Sequence, residues 1–151
     1  MNRILACATL VLCGGCAAHW PEMSQNFNAP AASYQIPPKQ IVTIIKEVVS
    51  APPLSIGVQE EKDGSIVTGF EPFPGEWHIG RRWQERTQYR VTVIPDWNEP
   101  TKVGRITVQE YTETRPANGM KWKPDPEVQR PARARQMLQT LDQAIKSRSG
   151  K

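Results

Sequence analysis

The sequence predicts an α+β domain: a four-stranded antiparallel sheet with an N-terminal and a C-terminal helix packed on one face. Three observations predict it. Apolar residues recur at helical spacing early in the chain, at Ile41, Ile44, Ile45 and Val48, and again late, at Met137, Leu138, Leu141, Ala144 and Ile145. Between these stripes, Tyr89, Val91 and Val93 alternate with Gln88, Arg90 and Thr92, as a half-buried strand requires. Asp63-Gly64 stands between two further apolar runs and marks a tight hairpin. Four short antiparallel strands leave one face to cover, and two amphipathic helices can cover it.

The elements follow in order. Pro37-Pro38 is a helix start, because proline is tolerated in the first turn. Val42 and Val49 widen the apolar stripe, although β-branched residues pull toward strand. Ala51-Pro52-Pro53 ends the helix. Leu54, Ile56 and Val58 alternate with Ser55, Gly57 and Gln59 as a first strand. Lys62-Asp63-Gly64-Ser65 is the turn, since Asp-Gly supplies the positive φ of a type I′ turn. Ser65 to Phe70 returns, and Glu71-Pro72-Phe73-Pro74-Gly75 breaks the strand. Arg86 to Ile94 is the third strand, Pro95 to Pro100 a turn, and Thr101 to Thr112 the fourth strand. Val103 is out of phase with Ile106 and Val108, and Gly104 between them marks a bulge that resets the register. Arg115 to Pro131 is a proline-rich extended loop. Ala132 to Ser147 is the closing helix, and residues 148–151 form a frayed tail.

Upstream of this domain, residues 37–147, the chain divides in two. Met1-Asn2-Arg3 carries one positive charge, and Ile4 to Leu12 is a mostly apolar run of signal-peptide length. It is far short of the ~20 residues that a membrane-spanning helix needs. Leu12-Cys13-Gly14-Gly15-Cys16 resembles the lipobox of bacterial lipoproteins, with small residues before the cysteine and with Cys13 where that box usually has leucine. The resemblance implies that residues 1–15 are a signal peptide and that Cys16 is acylated, cleaved from it and made the new N-terminus. Two or three acyl chains hold a protein on a bilayer where one does so only marginally. Ala17 stands where an Asp would retain a lipoprotein in the inner membrane, so the resemblance implies an outer-membrane anchor facing the periplasm. The alternatives are an ordinary secreted protein cut near Ala17-Ala18 and a buried N-terminal strand. Residues 16–36 hold no sustained period and read as a flexible tether, with Trp20, Phe27 and Tyr34 as its aromatic exceptions.

Charge and cysteine content narrow the function. The formal net charge is +4, which suits an anionic envelope surface but is not the dense basic stripe of a nucleic-acid binder. Cys7, Cys13 and Cys16 are the only cysteines, and all lie in the signal region. The processed domain therefore lacks a disulfide and a cysteine metal site. His19 lies in the tether, which leaves His78 as the histidine of the domain. No cofactor motif and no metal-ligand spacing is present.

The order of helix, hairpin, two strands and helix is similar to the small domains of BamC, the lipoprotein subunit of the outer-membrane β-barrel assembly machine. It is also similar to other envelope lipoproteins of the same plan. The residues that carry the likeness are the helix ending before Leu54, Asp63-Gly64-Ser65-Ile66, the Arg90-Val91-Thr92-Val93 strand and the closing Leu138-Leu141-Ile145 helix. The likeness implies an architecture and a compartment.

Two segments are candidate binding sites. In Trp77-His78-Ile79-Gly80-Arg81-Arg82-Trp83, two tryptophans flank a histidine and two arginines. Arginine suits planar anions, and tryptophan faces suit sugars or cations. The plainer reading is a strand edge with indoles packed over it and guanidinium heads in water. Trp122, beside Lys121, Lys123 and Asp125, is either an interaction anchor or a cap on the sheet. Glu60-Glu61 and the pair Glu110 and Glu113 read as solvated strand faces rather than as a glycosidase pair. No catalytic residue is assigned.

These observations favour a membrane-anchored, non-catalytic binding or scaffold module, with the bilayer and envelope proteins or the cell wall as partners. The alternatives are a small periplasmic hydrolase using carboxylates and His78, and a lipid or small-ligand carrier. A deep pocket with a buried Glu or His favours the enzyme, and a large apolar cavity favours the carrier. A filled core with an exposed aromatic patch favours the binder.

Overall fold

A computed structural model of the chain describes residues 27–28, 34–75, 77–78, 81–117, 119 and 121–149. The signal region, Cys16 and Trp20 lie outside the described residues. The fold is α+β, with two helices and an antiparallel sheet. The strands are β1 (Phe27–Asn28), β2 (Val58–Lys62), β3 (Ser65–Thr68), β4 (Glu71–Phe73), β5 (Trp77–His78), β6 (Arg81–Pro95), β7 (Val103–Pro116) and β8 (Lys123–Pro124). The helices are α1 (Pro38–Ser50) and α2 (Pro131–Ser149).

The main path of the sheet runs β1-β7-β6-β3-β2, with β4 and β5 also paired to β6 and β8 to β7. The four expected strands correspond to β2, β3, β6 and β7, and the sheet is wider than four because short segments pair beside them. Glu71-Pro72-Phe73 does not break the sheet; it is β4, which continues along β6 beyond β3, with Glu71 opposite Thr87 and Phe73 opposite Glu85. The first strand begins later than alternation suggests. Ser55 and Gly57 hold φ of 50° and 78°, and the backbone N–H groups of Ile56 and Gly57 both donate to the Val49 carbonyl. This reversal occupies Leu54–Gly57, so β2 starts at Val58. At the β2–β3 hairpin, Asp63 and Gly64 take φ of 50° and 74°, the two left-handed residues of a type I′ turn.

β6 and β7 form the spine of the domain, paired from Trp83–Pro116 to Pro95–Val103. The register shifts between Ile94 and Pro95, where Gly104 provides the extra residue. That bulge brings Val103 into phase with Ile106 and Val108, and all three are buried. Odd-numbered side chains of β6 and even-numbered ones of β7 face the helices. There Tyr89, Val91, Val93, Ile106 and Val108 meet Ile41, Ile44, Ile45 and Val49 of α1 and Met137, Leu138, Leu141 and Ile145 of α2.

Tyr34 and Ile36, from the stretch read as tether, belong to this core as well. Tyr34 forms a bridge to Val103, and its hydroxyl donates to Asp142 at 2.8 Å. Burial pushes the Tyr34 hydroxyl well above its ordinary value, and the Asp142 bond adds to the shift. The chain thus joins the fold before α1 begins. β1 is a second attachment, with Phe27 opposite Val108.

Candidate functional site

Strand alternation puts Arg82, Gln84, Arg86, Gln88, Arg90 and Thr92 of β6 on the face away from the helices. Arg105, Thr107, Gln109, Tyr111, Glu113 and Arg115 of β7 share that face. Five arginines therefore line one side of two adjacent strands. Arg82, Arg105 and Gln84 are exposed, and Arg86, Arg90 and Arg115 are half-buried.

A row of stacked groups crosses this face. The Arg86 guanidinium lies 4.0 Å from the Phe70 ring centroid and 4.4 Å from that of Trp122. The Arg115 guanidinium lies 4.4 Å from Trp122. Guanidinium planes stack on aromatic faces at such distances. Trp122 reaches the row because β8 pairs outside β7, with Pro124 opposite Glu113 and Lys123 opposite Thr114. Arg115 Nε also donates to Gln84 at 2.7 Å. Glu113 accepts from Arg86 Nε at 2.7 Å and from the Tyr111 hydroxyl at 2.9 Å. Burial and the bond to Glu113 push Tyr111 up to about 12.

The two candidate segments meet at one end of the sheet. Trp77 pairs with Arg82 and His78 with Arg81 in a hairpin, and Ala117 N–H donates to the Arg82 carbonyl. The side chains of Trp77, His78 and Arg81 lie outside the described residues, as do Ile79 and Gly80. The backbone approach at this end is tight: a Cβ on Gly75 would collide with the Trp83 carbonyl. Arg82 and Trp122 come to the same face. Trp83 points to the opposite one, where it lines a cleft of about 180 Å³ with Glu85, Thr114, Asp125 and Val128.

Below that cleft the helix-side core becomes polar. Glu110, expected at the solvent, is buried at 3% exposure. The parity of β7 sets it on the same side as Ile106 and Val108. It accepts the Arg130 backbone N–H at 2.8 Å. Burial raises its pKa, and the Arg130 N–H and charge oppose that shift. Glu85 forms an ion pair with the Arg130 guanidinium. Glu71 holds Arg133 through Nε at 3.0 Å and Nη2 at 2.5 Å. Burial, followed by the charges of Glu71 and Glu110, drives the Tyr89 hydroxyl far above its ordinary value. Asp125 accepts from Thr114 at 3.2 Å and from the Glu127 N–H at 3.3 Å. These carboxylates fix the loop and the start of α2 to the sheet.

Glu60 and Glu61 are exposed, as expected, and Glu113 is half-buried beneath Arg86. Among the described residues, no group of three or more His, Cys, Asp or Glu is placed to hold a metal ion, and no helix is long and apolar enough to cross a membrane. Of the arginines on the open face, sequence reasoning singled out Arg82 alone. The signal was present in the alternation Arg82-x-Gln84-x-Arg86-x-Gln88-x-Arg90, which assigns all five polar side chains to one side of a strand. A scan against protein-family models and a search among curated proteins each find no match to the chain.

Proposed function

We propose that this chain is an envelope lipoprotein, held on the membrane by acylated Cys16. Its domain is a non-catalytic binding module whose arginine-lined sheet face takes an anionic envelope partner. The observation that carries the binding surface is the set Arg82, Arg86, Arg90, Arg105 and Arg115 on one face. Arginine presents a planar fork of donors that fits carboxylate and phosphate groups. Trp122 and Phe70 hold the guanidinium of Arg86 and prearrange that part of the face.

The sheet edges fit a partner less well. β2 is a path end whose five side chains are all exposed and include Glu60, Glu61 and Lys62, with a register irregularity between Val58 and Glu60. Charge and irregularity protect an edge against strand addition. β7 is flanked by β1, by Tyr34 and by β8. Of the carboxylates that a hydrolase could use, Glu110 accepts the Arg130 N–H, Glu113 pairs with Arg86, and Glu60 and Glu61 lie exposed on β2. The likeness to BamC domains supports the compartment.

Two experiments test the reading. Wild-type chain should label with palmitate in growing cells, and Cys16→Ser should not; an unlabelled wild type removes the anchor. For the face, envelope partners are captured by crosslinking with wild type and with the double variant Arg82→Glu, Arg105→Glu. Both positions are exposed, so the fold should be kept while capture of an anionic partner falls on the order of tenfold. Equal capture by the folded variant refutes the face.

A further inference from the structure

β1 runs antiparallel to β7, with Phe27 opposite Val108 and Asn28 opposite Thr107. The chain therefore joins the sheet from the side of β8 and leaves toward Tyr34, which bridges to Val103. Cys16 precedes Phe27 by eleven residues, a length that spans at most about 40 Å. β6 alone, with 15 residues, is about 50 Å long. A bilayer that held an acylated Cys16 would lie less than the length of one long strand from β1. The chain would come to it from the end of the sheet that carries Arg82, Arg115 and Trp122.

That end is cationic. Arg82, Lys121 and Lys123 are exposed. Among the described residues, no ion pair includes them or Arg115. The carboxylates nearby are spent or turned away: Glu113 pairs with Arg86, Glu85 pairs with Arg130, and Asp125 accepts from Thr114 on the helix side. Glu127 is the exposed acid of the loop. Glu76 and the side chain of Arg81, which are opposite in sign, lie outside the described residues. Trp122 stands among these cations, half-buried between Arg86 and Arg115. Tryptophan beside arginine and lysine is the composition that settles at a headgroup layer. At the other end of the sheet the signs balance, since Lys39, Lys102 and Arg105 stand with Asp63, Asp96 and Glu99. Trp97 is 94% exposed there, but Asp96 and Glu99 flank it, and an anionic surface repels both.

We propose that the anionic partner of this end of the arginine face is the bilayer that holds the chain itself. Arg82, Arg115, Lys121 and Lys123 meet the phosphates of anionic phospholipids, and Trp122 lies at headgroup level. The inference rests on the acylated Cys16 and the binding face proposed above, and it names the partner which that reading leaves open. Each cation near such a surface adds to the attraction, and salt screens it. The short tether makes the encounter local. A domain kept within about 40 Å of the lipid meets headgroups at high effective concentration, so that individually weak phosphate contacts suffice. A soluble acidic protein has no such advantage.

The test uses the full acylated chain in vesicles of phosphatidylcholine, with or without phosphatidylglycerol. The cysteines of the chain are Cys7, Cys13 and Cys16, so after processing one introduced cysteine takes a fluorophore uniquely. Ala117→Cys and Asn98→Cys place it at exposed positions on the two ends. With phosphatidylglycerol present, a lipid with a nitroxide headgroup should quench the label at 117 far more than the label at 98. Salt at 1 M, which shortens the screening length to about 3 Å, should remove the difference. Arg82→Gln, Lys121→Gln and Lys123→Gln together should weaken docking by about fivefold for each charge removed, with an unchanged circular dichroism spectrum. Equal quenching at the two positions, or stronger quenching at 98, overturns the proposal. A protein captured in cells by wild type and lost in Arg82→Glu, Arg105→Glu, with no quenching at 117, overturns it too and leaves the binding face standing. A chain that takes no palmitate removes the anchor and this inference with it.

Discussion

Arg130 shows how much a single loop residue can carry. Its guanidinium pairs with buried Glu85 and lies 4.7 Å from the Phe73 ring centroid, and its backbone N–H satisfies Glu110. Its carbonyl accepts the Arg133 and Ala134 N–H groups as α2 begins. Arg130→Ala would leave Glu85 buried without its cation, which typically costs 3–5 kcal/mol. The arginine side chain is itself 31% exposed, so a loss of about 2–3 kcal/mol in urea unfolding is expected. Arg130→Lys should recover part of it, because an ammonium keeps the charge but not the planar fork. A melt identical to wild type for Arg130→Ala would show the pair to be idle. The burial of Glu110 was half legible. Its even number groups it with Ile106 and Val108, but a carboxylate reads as solvent-facing unless a partner is known. That partner is twenty residues on, in a loop without periodicity.

At the scale of elements, period was the reliable guide. The spacing of Ile41, Ile44, Ile45 and Val48 overcame the β-branched composition, and α1 buries the three isoleucines with Val48 partly buried against the core. α2 buries the expected Met137, Leu138, Leu141 and Ile145. Leu141 is fully buried, so Leu141→Asp places an unpaired charge in the core and should abolish cooperative thermal unfolding. A cooperative melt near the wild-type temperature would refute the packing of α2. The Gly104 bulge was legible because one residue out of phase needs one extra residue in the strand. β4, β5 and β8 were not. Each has two or three residues, too few for any period, and β4 and β8 contain proline; they exist through pairing with β6 or β7.

For the whole molecule, the tyrosines set the alkaline limit. All three, Tyr34, Tyr89 and Tyr111, have pKa values raised above 10.0, with burial the largest cause in each case. Above that pH the folded chain keeps protons that the unfolded chain releases. Their contribution to stability is therefore complete below pH 10.0 and lost as pH rises beyond it. Tyrosinate absorbance should rise late and together with loss of the fold. Independent titration of three groups at the ordinary value would contradict their burial. The architecture was largely legible from the sequence, while the arginine-lined face was legible only as the alternation of one strand. Its arginines are ordinary strand-surface residues one at a time, and they become a surface only when β6 and β7 align them.

The core also has a direction. Along β6 and β7 its helix side passes from Val93, Val91, Ile106 and Val108 to Thr87, Glu85, Thr112 and Thr114. Hydroxyl and carboxylate contacts lose little when water enters, whereas parting the aliphatic end exposes hydrocarbon. Amide hydrogen exchange should therefore be graded along each long strand, faster around Glu85 and Thr114 than around Val93 and Ile106. The domain would breathe from the end that carries Arg82 and Trp83, and stay shut at the end that carries Trp97.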